Sequence, residues 1–395
     1  MAVTNVYGNG LNSTAGANTV VHYYDRAGIK AANRVNIYGQ FVSRKDMPTK
    51  MGKTFKISKF LHMYDRSPND AEFAAKGFMS ARTADEVSLA LTNASLSEGA
   101  GAVNKRSLQK ITVETSLARY GEMIDYTDEV DLFSEDYIQV KYREELGELA
   151  NSRQEDLLQL DMLGTSTVMY AGAATSKGTV GGEILANGTN DAAARVSYDL
   201  IRKSVKKLTR NRAKKNKSLV SGSTKIDTKT IAASYFAIID ADVKIDLENI
   251  TRFDGTYAQV GAYVPVQKYA DATTIADGEV GSMYEVRFIE SEAAVVYAGK
   301  GATVPAGYTG TLAYTGTIGT DAKFNVHAIL FPTEGAFATV GLKGQGKISF
   351  HSKSPGEVEI VNPYGTTGFF SYNFFYAGII LEPEKMLAVY CAASK

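Results

Sequence analysis

Residues 134–164 read SEDYIQVKYREELGELANSRQEDLLQLDMLG, and this stretch decides how the rest of the chain is arranged. Ser134 suits an N-cap, and Glu135 and Asp136 suit a first turn, where the helix dipole favours negative charge. Apolar side chains at Ile138, Tyr142, Leu146, Leu149, Leu157 and Leu160 hold one helical face, broken only by Arg153. Gly164 suits the stop. The spacing therefore predicts one helix over 134–163, about 45 Å long at 1.5 Å per residue. A rod of that length exceeds the needs of one compact domain, and the regions on either side of it are unlike. It is the joint between them.

Upstream, Lys53–Phe60 alternates, with Phe55 and Ile57 against Thr54, Lys56 and Ser58, which predicts a strand. Gln109–Ala118 alternates in the same way, with Ile111, Val113, Thr115 and Leu117 on one face. Between them runs a polar excursion with helical patches at Asp70–Met79 and Asp85–Leu91. Two strands bracketing an excursion suit a projecting ribbon, which needs a partner surface because a lone ribbon is marginal in water. An ordinary sheet paired within the chain fits the same pattern. The first 24 residues contain no Asp, Glu, Lys or Arg and few apolar groups. They suit an extended arm ordered by lying on something else, such as a neighbouring subunit, and equally a terminus without a role.

Downstream, the small residues of Gly172–Gly188 suggest a flexible boundary. Ser197–Arg212 is a second amphipathic helix, with Ile201, Val205 and Leu208 inward. Arg202, Lys203, Lys206, Lys207, Arg210, Arg212, Lys214, Lys215 and Lys217 put nine cations and no acid into sixteen residues. Ser234–Ile239 is a buried strand followed by Asp240-Ala241-Asp242 and a short helix through Leu247. Tyr284–Ile289 is another strand, and Gly299–Gly319 has the composition of a surface hairpin or loop. From Phe324 onward strands predominate, at Val326–Phe331, Lys347–Phe350, Glu357–Val361, Gly368–Leu381 and Met386–Cys391.

The 395 residues, 44% hydrophobic and 22% charged, suffice for two or three lobes of a folded protein. A formal net charge of zero leaves self-association unopposed and argues against a dedicated nucleic-acid binder. The 23 tyrosines suit subunit interfaces and sheet surfaces. Cys391 has no intrachain disulfide partner, which points to synthesis in a reducing compartment. Neither a signal peptide nor a membrane span is expected.

Catalytic chemistry finds little support. His22, His62, His327 and His351 lack metal-site spacing. The long helix carries Glu144, Glu145, Glu148 and Glu155 without the histidine of a carboxylate-bridged metal bundle, so these acids are expected on a solvated face. Asp240, Asp242 and Asp246 could be metal ligands or paired acid–base carboxylates, but after a buried strand they better suit helix capping. Phosphate-loop, nucleophile-elbow and dinucleotide motifs are absent from the sequence. No catalytic, cofactor-binding or metal residue is therefore expected. The basic run could bind nucleic acid, but it lacks interleaved aromatics, and acidic protein surface would suit it equally.

The block Tyr235-Phe236-Ala237-Ile238-Ile239-Asp240-Ala241-Asp242-Val243, with Asp246-Leu247, resembles a stretch of the major capsid proteins of tailed phages. Gly278-Glu279-Val280-Gly281-Ser282-Met283-Tyr284-Glu285-Val286-Arg287-Phe288-Ile289-Glu290-Ser291 is similar to another such block, and Val326–Val340 and Gly365–Val389 follow in order. Within that group the chain looks most like the large-virion podoviruses that package their own RNA polymerase. The chain departs from the group's pattern in two places: Phe369, Phe370 and Tyr372 stand where a tryptophan is common, and Gly299–Gly319 looks inserted.

The resemblance implies an α+β protein of the Hong Kong 97 phage capsid fold. It implies an N-terminal arm over 1–51, an extended-loop region over 52–121 and a peripheral domain over 122–192 with its spine helix at 134–163. An axial domain over 193–340 and a returning peripheral sheet over 341–395 complete it. The implied function is a non-enzymatic shell subunit forming hexamers and pentamers of an icosahedral head around double-stranded DNA. The implied partners are copies of itself, scaffold, portal and cement or decoration proteins, with only non-specific contact to packaged DNA and none to membrane. The implied location is the virion, assembled in the host bacterial cytoplasm. An encapsulin-like cellular nanocompartment shell is the alternative.

Overall fold

The computed structural model describes residues 36–61, 83–96, 98–99, 108, 110–133, 138–217, 231–254, 258–269, 275–344, 348–358 and 362–395. A 3-10 turn at Tyr38–Phe41 leads into β1 (Ser43–Met47), β2 (Thr54–Phe60), α1 (Ala84–Ala94), β3 (Lys110–Ser116) and β4 (Ala118–Thr127). The short α2 (Asp128–Phe133) precedes the long α3 (Ile138–Leu163). Next come β5 (Val168–Tyr170), α4 (Asp191–Ala194), α5 (Tyr198–Arg210), β6 (Tyr235–Ile239) and α6 (Ala241–Glu248). Short strands follow: β7 (Thr251–Asp254), β8 (Ala258–Gly261), β9 (Val264–Pro265), β10 (Glu279–Met283), β11 (Val286–Glu290), β12 (Val296–Tyr297), β13 (Tyr314–Thr315) and β14 (Lys323–Phe324). The last are β15 (Val326–Phe331), β16 (Phe337–Leu342), β17 (Ser349–Lys353), β18 (Thr367–Ile380) and β19 (Leu387–Cys391).

The larger sheet has the order β5-β19-β15-β6-β11-β10-β9, with β12 also on β15. Its strand β6 is buried at every position because both faces are covered. Tyr235, Ala237 and Ile239 meet Val205 and Leu208 of α5 and Val243 and Leu247 of α6. Phe236 and Ile238, pointing the other way, share a cluster with Leu158 and Met162 of α3 and with Val304, Leu312 and Phe324. β11 lies parallel to β6 and carries Arg287, fully buried, 3.8 Å from Glu279 and over the Tyr269 ring at 5.4 Å. The expected strand Tyr284–Ile289 is corrected at its start. Tyr284 has φ 56° and forms the turn between β10 and β11.

The smaller sheet has the order β1-β16-β18-β17, with β4 also on β18. In β18 the side chains alternate, and Phe370, Tyr372, Phe374 and Tyr376 turn inward to Leu146 and Ala150 of α3. Tyr376 donates its hydroxyl to Asp161 Oδ2 at 2.8 Å, and Arg153 reaches Glu122 of β4 at 2.9 Å. Arg153 therefore points outward, away from the buried stripe that it breaks in the sequence. The first four residues of the expected helix, with the Ser134 cap, lie outside the described residues. The expected stripe is corrected at Leu160, which is exposed. The buried row is Leu146, Ala150, Leu158 and Met162, an i, i+4 ridge that winds slowly around the helix and leaves Leu160 off it.

Two low-complexity stretches turn out to be packed. Val180 and Ile184 from 172–188, and Val304, Tyr308 and Leu312 from 299–319, are buried in one cluster. Gly301 N–H donates to Phe324 O and Ala302 N–H to Val180 O, lacing them together. The stretch 172–188 is thus pinned to the core, while 299–319 keeps the expected hairpin, Tyr314–Thr315 pairing with Lys323–Phe324, and adds buried anchors to its exposed turns. Their small residues allow close backbone approach: Gly188 has φ +77°, and a Cβ there would meet Gly310 Cα at 2.8 Å. Each sheet draws strands from more than one of the expected spans. β16 (Phe337–Leu342), expected mostly in the 193–340 axial span, belongs to the smaller sheet. β19, expected in the 341–395 returning sheet, sits between β5 and β15 of the larger one, paired His327 to Cys391. Of Glu357–Val361, the described residues Glu357 and Val358 are not in a strand.

Candidate assembly surfaces

The alternating segments β2 and β3 do pair with each other, antiparallel from Thr54–Ser116 to Phe60–Lys110, as a separate two-stranded ribbon. Lys56 and Glu114 face each other across it at 2.7 Å. Among the described residues its anchoring contacts lie at its base. Phe55, Val113 and Leu117 pack beside Ala338, Val340 and Ala377, and Thr115 Oγ1 donates to Gly378 O at 3.0 Å. Toward the other end Phe60 is 63% exposed.

Helix α1 belongs to the same excursion; the other expected helical patch, Asp70–Met79, lies outside the described residues. α1 holds itself by a capping box: Glu86 N–H donates to Thr83 Oγ1 at 3.2 Å and Thr83 N–H to Glu86 Oε2 at 2.7 Å. It buries no residue, and Leu89 and Leu91 are 61% and 62% exposed. Val87 and Ala90 are half-buried at most, and an eleven-residue helix with so little burial is marginal in water, so ribbon and helix leave apolar surface for an outside partner to cover.

The first 24 residues, read as an arm, lie outside the described residues; within the expected 1–51 arm span, residues 36–51 are held by their own chain. β1 runs parallel to β16, and Glu155, 2% exposed on α3, accepts the backbone N–H of both Ile37 and Tyr38 through Oε1, the latter at 2.5 Å. Gln159 Nε2 donates to Tyr38 Oη at 2.8 Å. Burial, reinforced by the Glu155 carboxylate, pushes the Tyr38 phenol well above its ordinary range. This corrects the expectation that Glu155 lies on a solvated acidic face. Glu144 and Glu145 are exposed and Glu148 is half-buried.

Of the three carboxylates weighed for chemistry, Asp240 and Asp246 hold structural partners. Asp240 caps α6, its Oδ1 accepting Ala241 N–H at 2.8 Å, while its Oδ2 lies 2.9 Å from Nδ1 of buried His327. Asp246 accepts Ser394 N–H at 2.9 Å and Ser394 Oγ–H at 2.6 Å, with Arg195 3.7 Å away. Asp242 is exposed in the first turn of α6. Folding brings His327 beside Asp240 and Asp242, with one ligand-type atom of each within 4.8 Å of the others, a grouping that sequence spacing hides. As observed, both Asp240 oxygens are occupied. Asp191 is buried as well, accepting the Tyr308 hydroxyl at 2.8 Å; burial first, and this carboxylate after it, push the phenol up to about 12.

The basic run is less uniform than its spelling. Lys207 turns back to Val168 O at 2.9 Å, Lys203 pairs with Asp199 at 2.6 Å and Lys215 with Glu285 at 2.6 Å.

Set against solved structures, the chain superposes on the capsid of Ralstonia phage GP4 with a TM-score of 0.58 at 11% identity, covering 100% of this chain and 99% of that one. The capsid of cyanophage P-SCSP1u gives 0.55 at 11% identity, over 96% and 95% of the two chains. The head of Helicobacter pylori bacteriophage KHP40 gives 0.53 at 9%, over 98% and 99%. This is the Hong Kong 97 phage capsid fold. In sequence the chain is 27% identical over 389 residues to the major capsid protein of Pseudomonas phage KPP21, spanning 95% of this chain and 93% of that protein. The chain is accordingly a structural capsid shell subunit, a component of the virion. These comparisons lend no support to the nanocompartment alternative. No family model matches the chain. Among the described residues no helix is long and apolar enough to cross a membrane.

Proposed function

We propose that the subunit assembles into hexamers and pentamers of an icosahedral head that encloses double-stranded DNA, and that it has no catalytic role. The observation that carries this is the ribbon β2–β3 with α1, which leaves Leu89, Leu91 and Phe60 uncovered by its own chain. A neighbouring copy is the occupant that repeated closed symmetry supplies, and many such weak contacts act together. Commitment of Asp240 and Asp246 to capping and anchoring supports the non-catalytic part.

In the terms of that fold, the ribbon with α1 is the extended loop. α3 with the smaller sheet is the peripheral domain, and the larger sheet with α5 and α6 is the axial domain. On the blocks at Tyr235 and Gly278, we assign the chain to the large-virion podovirus group. Scaffold, portal and cement proteins are its further partners. Sedimentation velocity of the purified full-length chain tests the assembly: fast-sedimenting capsomers or shells are expected, and a single monomer boundary under all solution conditions would refute it.

A further inference from the structure

We infer that the exposed face of α5 is a docking surface for nucleic-acid phosphates, and that this face of the subunit points to the interior of the shell. The inference rests on the reading of the chain as a subunit of a DNA-filled head. α5 buries Leu200, Ile201, Ser204, Val205 and Leu208, which fixes the opposite side of the helix outward. That side borders a cleft of about 850 Å³ lined by five cations and two carboxylates.

The two carboxylates are already matched, Asp199 by Lys203 and Glu285 by Lys215. Arg202, Lys206 and Arg210 remain without an acidic partner among the described residues, Arg202 lying over the Tyr198 ring at 5.9 Å. These three stand at i, i+4 and i+8, a stripe of about 12 Å at 1.5 Å rise per residue. A DNA duplex presents one phosphate charge per about 1.7 Å of axis, so it offers such a stripe roughly seven negative charges. A folded acidic partner would have to place discrete carboxylates opposite three cations, whereas a duplex matches them in any register. The cleft also supplies what the linear sequence lacks. Tyr284, held at the rim by its φ of 56°, lies edge-on to Tyr198 at 6.2 Å and offers a hydroxyl donor. In a chain of zero net charge, cations concentrated on one surface are a local device.

The test is fluorescence anisotropy of a labelled DNA duplex with the full-length chain, titrated over salt. The triple variant Arg202→Ala, Lys206→Ala, Arg210→Ala should bind at least about tenfold more weakly at low salt. Its log–log salt slope should fall by about 2 to 3, near 0.9 per lost phosphate contact. A charge-conserving triple, Arg202→Lys, Lys206→Arg and Arg210→Lys, should bind like the parent. So should a control triple, Lys300→Ala, Lys323→Ala and Lys343→Ala, on exposed positions elsewhere. An unchanged slope in the first variant, or an equal loss in the control, overturns the inference. So does a first variant that binds DNA normally but no longer forms particles, which would make the cleft a contact between copies. Anisotropy is read on unassembled subunits, because a closed shell hides an inward face, and particles imaged from the same preparations report on the shell separately: parent subunits that go on to form shells but bind no duplex beforehand overturn this inference alone.

Discussion

Glu155 shows how much one side chain can hold in this subunit. A single carboxylate oxygen takes the N–H groups of Ile37 and Tyr38 and so fixes the chain that leads into β1 onto the long helix. Hydrogen bonds to a charged acceptor contribute about 1.5–3 kcal/mol each, and removing the acceptor orphans two buried donors. Glu155→Ala should therefore destabilise the subunit by about 3 kcal/mol or more, with Glu155→Gln losing less; chemical denaturation of both variants measures this. Nothing in the sequence distinguishes Glu155 from Glu144 or Glu145, because a glutamate on a helix reads as solvated unless its partner is known. The partner is 117 residues away.

Cys391 makes a second prediction at this scale. Burial, with Asp246 and Asp240 adding to it, pushes its thiol up to about 12. The native thiol should stay unreactive toward a disulfide reagent at about pH 8 and react fully once unfolded, where it titrates near 8.5. Because the folded pKa lies above the unfolded one, this group's contribution to stability is full below about 8.5. It is lost as pH rises from there toward 12.

Among the elements, the long helix, α5, α6 and the strands β6 and β15 were legible because period and burial agree in them. Ile201, Val205 and Leu208 are spaced for a helix and are buried in one. β4 was not legible beyond its first residue. Arg119, Gly121, Glu122 and Asp125 interrupt any alternation, and the strand exists because ten of its residues pair with β18. Tertiary pairing also decides 299–319, where Val304, Tyr308 and Leu312 are too sparse to announce a core.

The ribbon and α1 are the elements whose stability and purpose separate. Leu89→Asp with Leu91→Asp changes two side chains that touch no core. The subunit's unfolding free energy should thus stay within about 0.5 kcal/mol of the parent. Assembly should fail, since the change puts charge into the surface a neighbour must cover. A variant equally destabilised in the subunit would show that α1 serves the fold and not the contact.

At the scale of the molecule, the two sheets share one helix between them. α3 packs its Leu146 and Ala150 under β18 and its Leu158 and Met162 toward β6, so the larger and smaller sheets form one continuous body. The last strand, β19, returns to the larger sheet, and Asp246 of α6 holds Ser394 just beyond it. From that body the ribbon projects, its base packed and Phe60 at its far end uncovered.

Electron microscopy of the purified full-length chain puts this to the most direct test. Closed icosahedral particles, or free hexameric and pentameric capsomers with the ribbon and α1 lying on a neighbouring subunit, are the predicted result. A stable monomer with no capsomer or shell under all conditions would contradict it.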